Sequence, residues 1–187
     1  MTNLKKWKLL QSRLVINHQW CQVRQDEVEL PNGKIIDDFF VNVRQDIVLV
    51  FPVTDQQEIV FVRQYRHGVG KVLLELPAGY FNPQVEFPEV AAMRELREET
   101  GYVAEKLIKL KTLYDNPVKD TNSIHFFAAK NVIKSQKQEL DITEEIEVVL
   151  IPVSEVLQRV LMTDINVCGT IAAIFLGLEY LRNNKLG

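Results

Sequence analysis

Cysteine is scarce in this sequence: Cys21 and Cys168 are the only two in 187 residues, far apart and in no CxxC pair. A disulfide framework and a cysteine zinc site are thereby excluded, and both thiols are expected as buried packing residues. Long apolar runs are missing too. The longest, Val167 to Leu178, is interrupted by Gly169, Thr170 and Gly177 and falls short of the ~20 residues that span a bilayer, so a buried helix is expected there. Met1 to Lys8 contain lysines and a tryptophan but no apolar stretch, so no secretory signal is read and a cytoplasmic location without membrane contact is expected. Positive charge is not in excess: 22 Lys and Arg against 25 Asp and Glu leave a formal net charge of −3, which argues against nucleic acid as a partner. No GxxxxGK[ST] loop and no Ser/His/Asp set with an elbow glycine is present, and His18, His67 and His125 form no metal-type pair and receive no role.

What is there suits a globular chain. With 47% hydrophobic and 25% charged residues it can bury a core, and its length suits one ordinary domain with a small appendage. From Trp20 to Val43 loosely alternating strands flank a turn at Pro31-Asn32-Gly33. We read residues 1–43 as a β-rich element and 44–187 as the main domain. The apolar side chains of the appendage, among them Val23, Val28, Leu30, Ile35, Ile36, Phe39, Phe40 and Val41, exceed what a two- or three-stranded sheet buries alone. They need a cover, either the main body or a second copy of the chain.

In the main domain Ile47–Phe51 and Ile59–Val62 read as a central hairpin around the polar turn Asp55-Gln56-Gln57, and Leu73–Leu76 as a short strand. Pro88–Thr100 reads as a helix with proline at its first position, Glu89 in its first turn and Gly101 as its stop. Strands are expected at Leu107–Tyr114, Ile124–Ala129 and Ile146–Ile151, then a helix opened by Ser154 and a terminal helix from Val167 to Asn183. This order predicts an α/β (α+β) fold with a mixed sheet covered on both faces.

The informative segment is Arg94-Glu95-Leu96-Arg97-Glu98-Glu99-Thr100-Gly101-Tyr102. On a helix, Glu95, Glu98 and Glu99 stand at i, i+3 and i+4 and crowd one face, at a cost unless a cation sits among them. Hard divalent ions suit such oxygen ligands, although a solvated acidic face is the plainer reading of a glutamate run. The context decides between them. Glu86 precedes Arg94 by seven intervening residues, and the whole resembles the Nudix hydrolase signature G-x5-E-x7-R-E-U-x-E-E-x-G-U, U being apolar. One departure is present: six residues, Tyr80 to Val85, separate Gly79 from Glu86 instead of five. An insertion there bears on loop shape more than on metal binding.

The resemblance runs from about Ile47 to Leu181 and narrows further. Glu75-Leu76-Pro77-Ala78-Gly79, Arg63-Gln64-Tyr65-Arg66 and Pro117 resemble the corresponding segments of ADP-ribose pyrophosphatases and related nucleoside diphosphate sugar hydrolases. The resemblance implies a Nudix-type α/β/α sandwich with a mixed sheet, and a homodimer built through the N-terminal antiparallel element. It implies Mg²⁺, with Mn²⁺ as the alternative, held by Glu95, Glu99 and the Ala78 carbonyl, with Glu98 sharing a second ion or a bridging water. Glu86 and Arg94 would form an internal ion pair. Glu144, or else Glu145, would be the loop acid; Glu144 or Glu98 would accept the proton of the attacking water. Arg66, and more weakly Arg63, would bind phosphate or ribose, unless they are plain surface arginines, and Trp20 would stack on adenine across a dimer unless it only packs. The implied reaction is hydrolysis of ADP-ribose to AMP and ribose 5-phosphate. Alternatives are other Nudix substrates, such as another sugar nucleotide, a dinucleoside polyphosphate or a modified nucleoside triphosphate, and a module that binds a sugar nucleotide without cleaving it.

Overall fold

The computed structural model describes residues 4–162 and 165–184. It divides into two compact units: one runs to Gln45 and takes in Tyr114–Asn122, and the other comprises Asp46–Leu113 and the chain from Ser123 onward.

The first unit is a three-stranded antiparallel sheet, β1 (Lys8–His18), β2 (Cys21–Glu29) and β3 (Ile35–Val43), in that order. The strand at Lys8–His18 was not expected. Its sequence, KLLQSRLVINH, lacks a clean period of two, and every residue in it is exposed, so no buried face imposes alternation. Cys21 is exposed at the start of β2, contrary to the expectation of a packing residue. The segment Tyr114–Asn122 docks on β3: Asn42 N donates to Lys119 O at 2.7 Å and Thr121 N to Asn42 O at 3.2 Å. Asp120 fixes this junction, accepting from Asn42 Nδ2 at 2.7 Å and from Arg44 Nη1 at 3.0 Å. Burial pushes the Asp120 carboxyl up, but the bonds from Asn42 and Arg44 outweigh it and hold it below the ordinary carboxylate value. The stabilisation is therefore full above the unfolded value of about 4 and is lost as pH falls through the lower folded value. We expect Asp120→Asn to lower the urea midpoint at pH 7, and the difference from the wild type to shrink as pH falls below about 4.

The second unit is a mixed sheet built from β4 (Asp46–Val53), β5 (Glu58–Arg66), β6 (Lys71–Glu75), β7 (Ala78–Phe81), β9 (Leu107–Tyr114), β10 (Ser123–Lys130) and β12 (Ile146–Pro152). Two short strands, β8 (Tyr102–Val103) and β11 (Ile133–Lys134), pair separately. The helices are α1 (Pro88–Thr100), α2 (Val156–Leu161) and α3 (Cys168–Asn183). The main path is β12-β5-β4-β10-β9, in which β4 and β10 are parallel. The expected central hairpin is nearly unpaired: β4 and β5 meet only at Val53↔Ile59, then diverge, and β6 pairs β5 while β7 pairs β4. This opening brings Ala78–Phe81 into the sheet as β7, so Tyr80 and Phe81, read from the sequence as part of a loop, are strand.

Alternation along the strands gives the sheet two apolar faces. Val48, Val50, Val60 and Phe127 pack against Ala91, Ala92 and Leu96 of α1, while Leu49, Phe51, Ile59, Phe61 and Phe126 pack with Val156 of α2 and Ala173 and Ile174 of α3. The second helix starts at Val156, with Glu155 at its N-cap and no side-chain cap, so the expected start at Ser154 is corrected. The terminal helix buries one stripe and leaves Phe175 55% exposed, and Cys168 in its first turn is exposed rather than packed. No described helix is long and apolar enough to cross a membrane.

Candidate active site

Helix α1 positions most of the site. Pro88 opens it, and Gly101, at φ 73°, closes it with its N–H on Arg97 O at 2.8 Å. Ala91, Ala92 and Leu96 draw it onto the sheet, and Glu95 and Glu99 share that inner side and are buried with them, at 9% and 3% exposure. A carboxylate so placed is costly without partners. Glu99 Oε2 accepts from the backbone N–H of Ala78 at 3.0 Å. Gly79 lies so near Glu95 that a Cβ built on it would overlap the Glu95 carboxyl, so only glycine there leaves that carboxylate where it stands.

Arg94 is the hub of the remaining charges. It makes two bonds to Glu86, Nε to Oε1 at 3.1 Å and Nη2 to Oε2 at 3.0 Å, and its Nη1 donates to Glu95 at 2.6 Å and to Glu98 at 3.1 Å. Arg97 adds a bond to Glu98 at 3.1 Å. Even so, the acids remain in excess. Burial raises the Glu95 carboxyl above its ordinary value against the pull of Arg94, with Glu98 and Glu144 adding repulsion. Burial raises Glu99 far more, opposed by the Ala78 N–H and reinforced by Glu95 and Glu144.

Glu144 thus bears electrostatically on both buried carboxylates from a loop 45 residues downstream of Glu99. It is half-buried, and its Oε2 accepts from Asp141 N at 3.0 Å, whereas Glu145 is exposed. Arg66 belongs to the same face: its Nε and Nη2 grip Glu75 at 2.8 and 3.1 Å. Burial works against the Arg66 charge, but Glu75, with help from Glu99, raises it above its ordinary value. Arg63, three residues earlier on β5, points to the opposite face and pairs with Glu147 at 2.6 Å; the structure does not bring it to the carboxylates. Trp20 lies in the first unit, in the turn between β1 and β2, and is 83% exposed.

Two residues at this face went unassigned in the sequence. Glu75 stands directly before the LPAG segment; strand register sets it opposite Val62, and only the side-chain bonds show that it meets Arg66. Gln138 donates to the Glu99 carbonyl at 2.6 Å, and no sequence signal marks it.

The donors suit a hard cation: carboxylate oxygens, crowded and under-neutralised. Among the described residues no three acidic or histidine side chains converge tightly enough to ligate one ion as they stand. Arg94 Nη1 engages both Glu95 and Glu98, so a divalent ion would compete with it for these carboxylates.

Comparison with known proteins gives the chain a family. Residues 43–166 match the NUDIX domain model, and residues 7–42 match that of the nucleoside diphosphate sugar hydrolase N-terminal domain. The ADP-ribose pyrophosphatase of Bacillus subtilis (strain 168) is 38% identical over 136 residues, 72% of each chain. The methanol dehydrogenase activator of Bacillus methanolicus is 31% identical over 187 residues, 99% of this chain and 100% of that one. A crystal structure of an ADP compounds hydrolase superposes with a TM-score of 0.87 over 98% of both chains at 24% identity, which bears on the fold alone. With the domain model spanning most of the chain and relatives above 30% identity across it, the chain belongs to the Nudix hydrolase family, enzymes that act on small nucleotide substrates with a divalent metal.

Proposed function

We propose that this protein hydrolyses the pyrophosphate bond of a nucleoside diphosphate sugar in a Mg²⁺-dependent reaction, with ADP-ribose, cleaved to AMP and ribose 5-phosphate, as the leading substrate. The observation that carries the reading is the pair of buried, under-neutralised carboxylates, Glu95 and Glu99, facing Arg66 and Glu144. The kinship to an ADP-ribose pyrophosphatase and the sugar hydrolase N-terminal element support the substrate class.

In this reading Glu95, Glu99 and the Ala78 carbonyl hold the metal, with Glu98 sharing a second ion or a bridging water. A divalent cation there supplies the positive charge that lets a pyrophosphate approach a cluster of carboxylates. Glu86 and Arg94 orient the loop against the helix. Glu144 accepts the proton of the attacking water, with Glu98 as the alternative. Arg66, set by Glu75, binds phosphate or the terminal ribose; Arg63 drops out because its guanidinium is engaged with Glu147 on the other face.

A panel of ADP-ribose, other sugar nucleotides, dinucleoside polyphosphates and nucleoside triphosphates, followed by product chromatography, tests the assignment. Preference for triphosphates with release of pyrophosphate would overturn it. Glu144→Gln is expected to lower kcat more than it raises KM, and a larger loss in Glu145→Gln would shift the loop acid by one residue.

The full-length likeness to a dehydrogenase activator favours a second reading, regulation of a partner enzyme through the same site. Tight ADP-ribose binding by calorimetry without turnover on any panel member would support it.

We also propose a homodimer through the N-terminal sheet. Leu9, Leu14 and Ile16 on β1 and Trp20 beside it are 48% exposed or more, an apolar surface that one copy leaves in water. A dimer mass in light scattering is expected; a fully active monomer would refute the dimer and any role for Trp20 in a partner's pocket.

A further inference from the structure

The loop that carries Glu144 is fastened to the carbonyl end of α1. The last carbonyls of a helix have no partner within it, and here the returning chain supplies several. Gly101 makes the approach feasible, since a Cβ there would overlap the Gln136 carbonyl oxygen. Ser135 N and Gln136 N donate to Gly101 O at 3.0 and 3.3 Å, and Glu139 N donates to Glu98 O at 2.9 Å. Between them the Gln138 side chain spans two elements, its Nε2 donating to Glu99 O at 2.6 Å and to Ile146 O at 3.1 Å.

One amide therefore ties the last turn of α1, at Glu99, to the first residue of β12. Residues 139–145 form an excursion whose two ends it holds together. Within the excursion Asp141 and Glu144 bond each other, Glu144 N to Asp141 O at 2.9 Å and Asp141 N to Glu144 Oε2 at 3.0 Å, while Ile142 is fully exposed. Leu140, half-buried, is the apolar residue that holds the excursion at its start, and from Asp141 to Glu145 no apolar side chain is buried, so the hydrogen bonds at its base help to set the distance of Glu144 from the helix.

We propose that Gln138 is a positioning residue for the reaction, a clamp that holds the Glu144 loop in register with Glu95 and Glu99. The inference rests on the role given to Glu144 above. It requires a donor at position 138, because both partners are carbonyl oxygens.

The test compares Gln138→Met, similar in length but without a donor, with Gln138→Lys, which keeps one. On ADP-ribose with Mg²⁺, the Met variant is expected to lose roughly tenfold in kcat, the scale of a lost buried hydrogen bond, with KM within about twofold. Hydrogen exchange at residues 139–146 should accelerate while α1 stays protected, and the Lys variant should restore both readouts. In a Glu144→Gln background the Met substitution should lower kcat no further. Wild-type kcat and exchange in the Met variant would overturn the proposal. So would a full tenfold loss persisting in the Glu144→Gln background, or loss of α1 protection in both variants, which would make Gln138 part of the scaffold only. Were Glu144→Gln itself fully active, the role of Glu144 would fall, and the exchange data would still show separately whether Gln138 clamps the loop.

Discussion

Glu99→Gln is expected to reduce turnover by two to three orders of magnitude while leaving the metal-free fold at least as stable as the wild type. The first half follows from charge: the substitution keeps the shape and the bond from Ala78 N but removes a negative ligand at the point where the reaction needs a preorganised ion, a loss on the order of 10²–10³. The second half follows from burial. Glu99 is 3% exposed, and burial holds its carboxyl well above the ordinary range. For an acid shifted upward, the unfolded chain releases its proton first, so stability declines as pH rises from about 4 toward the folded value. Glutamine removes that decline. Melting curves with chelator at pH 5 and pH 8 should show a flatter profile for the variant, and kcat should collapse at either pH. A variant that keeps wild-type turnover would remove Glu99 from the reaction; one that unfolds without metal would make Glu99 a structural residue.

Gly79→Ala is the second large effect, and it should strike activity rather than folding. The added methyl lands on the Glu95 carboxyl, the far end of a side chain that can turn aside, so the backbone need not move. The displaced carboxylate leaves the position from which it faces Glu99, and misplacement of a reacting group by about 1 Å can cost on the order of 10² in rate. We expect turnover to fall about a hundredfold, Mn²⁺ affinity measured by calorimetry to weaken, and the melting temperature to drop by only a few degrees. Near-normal turnover would mean that Glu95 has freedom this packing denies it. A large loss of stability would mean that β7 carries the strain instead.

The two variants differ in how visible their targets are from sequence. Glu99 is legible: Glu95, Glu98 and Glu99 share a helix face by spacing alone, and the run from Glu86 to Tyr102 resembles one family's signature. The bounds Pro88–Thr100 and the stop at Gly101 are legible for the same reason, because proline, helical periodicity and a left-handed glycine act over a few residues. β1 was not legible, since a strand exposed on both sides carries no alternation. The exposed positions of Cys21 and Cys168 were not legible either, since general burial habits say nothing about a particular site.

The sequence by itself determined the chemistry available: which carboxylates lie on one helix, which arginine can pair with Glu86, and that the chain is a Nudix hydrolase. These depend on residue type and short-range spacing, which the chain carries wherever it folds. Only the tertiary structure decided which residues meet across long separations. β5 twists Arg66 toward Glu99 and Arg63 toward Glu147, the divergence of β4 and β5 admits Gly79 against Glu95, and Gln138 ties the loop of Glu144 to the helix end. Such pairings are set by strand register and by the close packing of glycine and helix, and neither leaves a local mark in the order of residues.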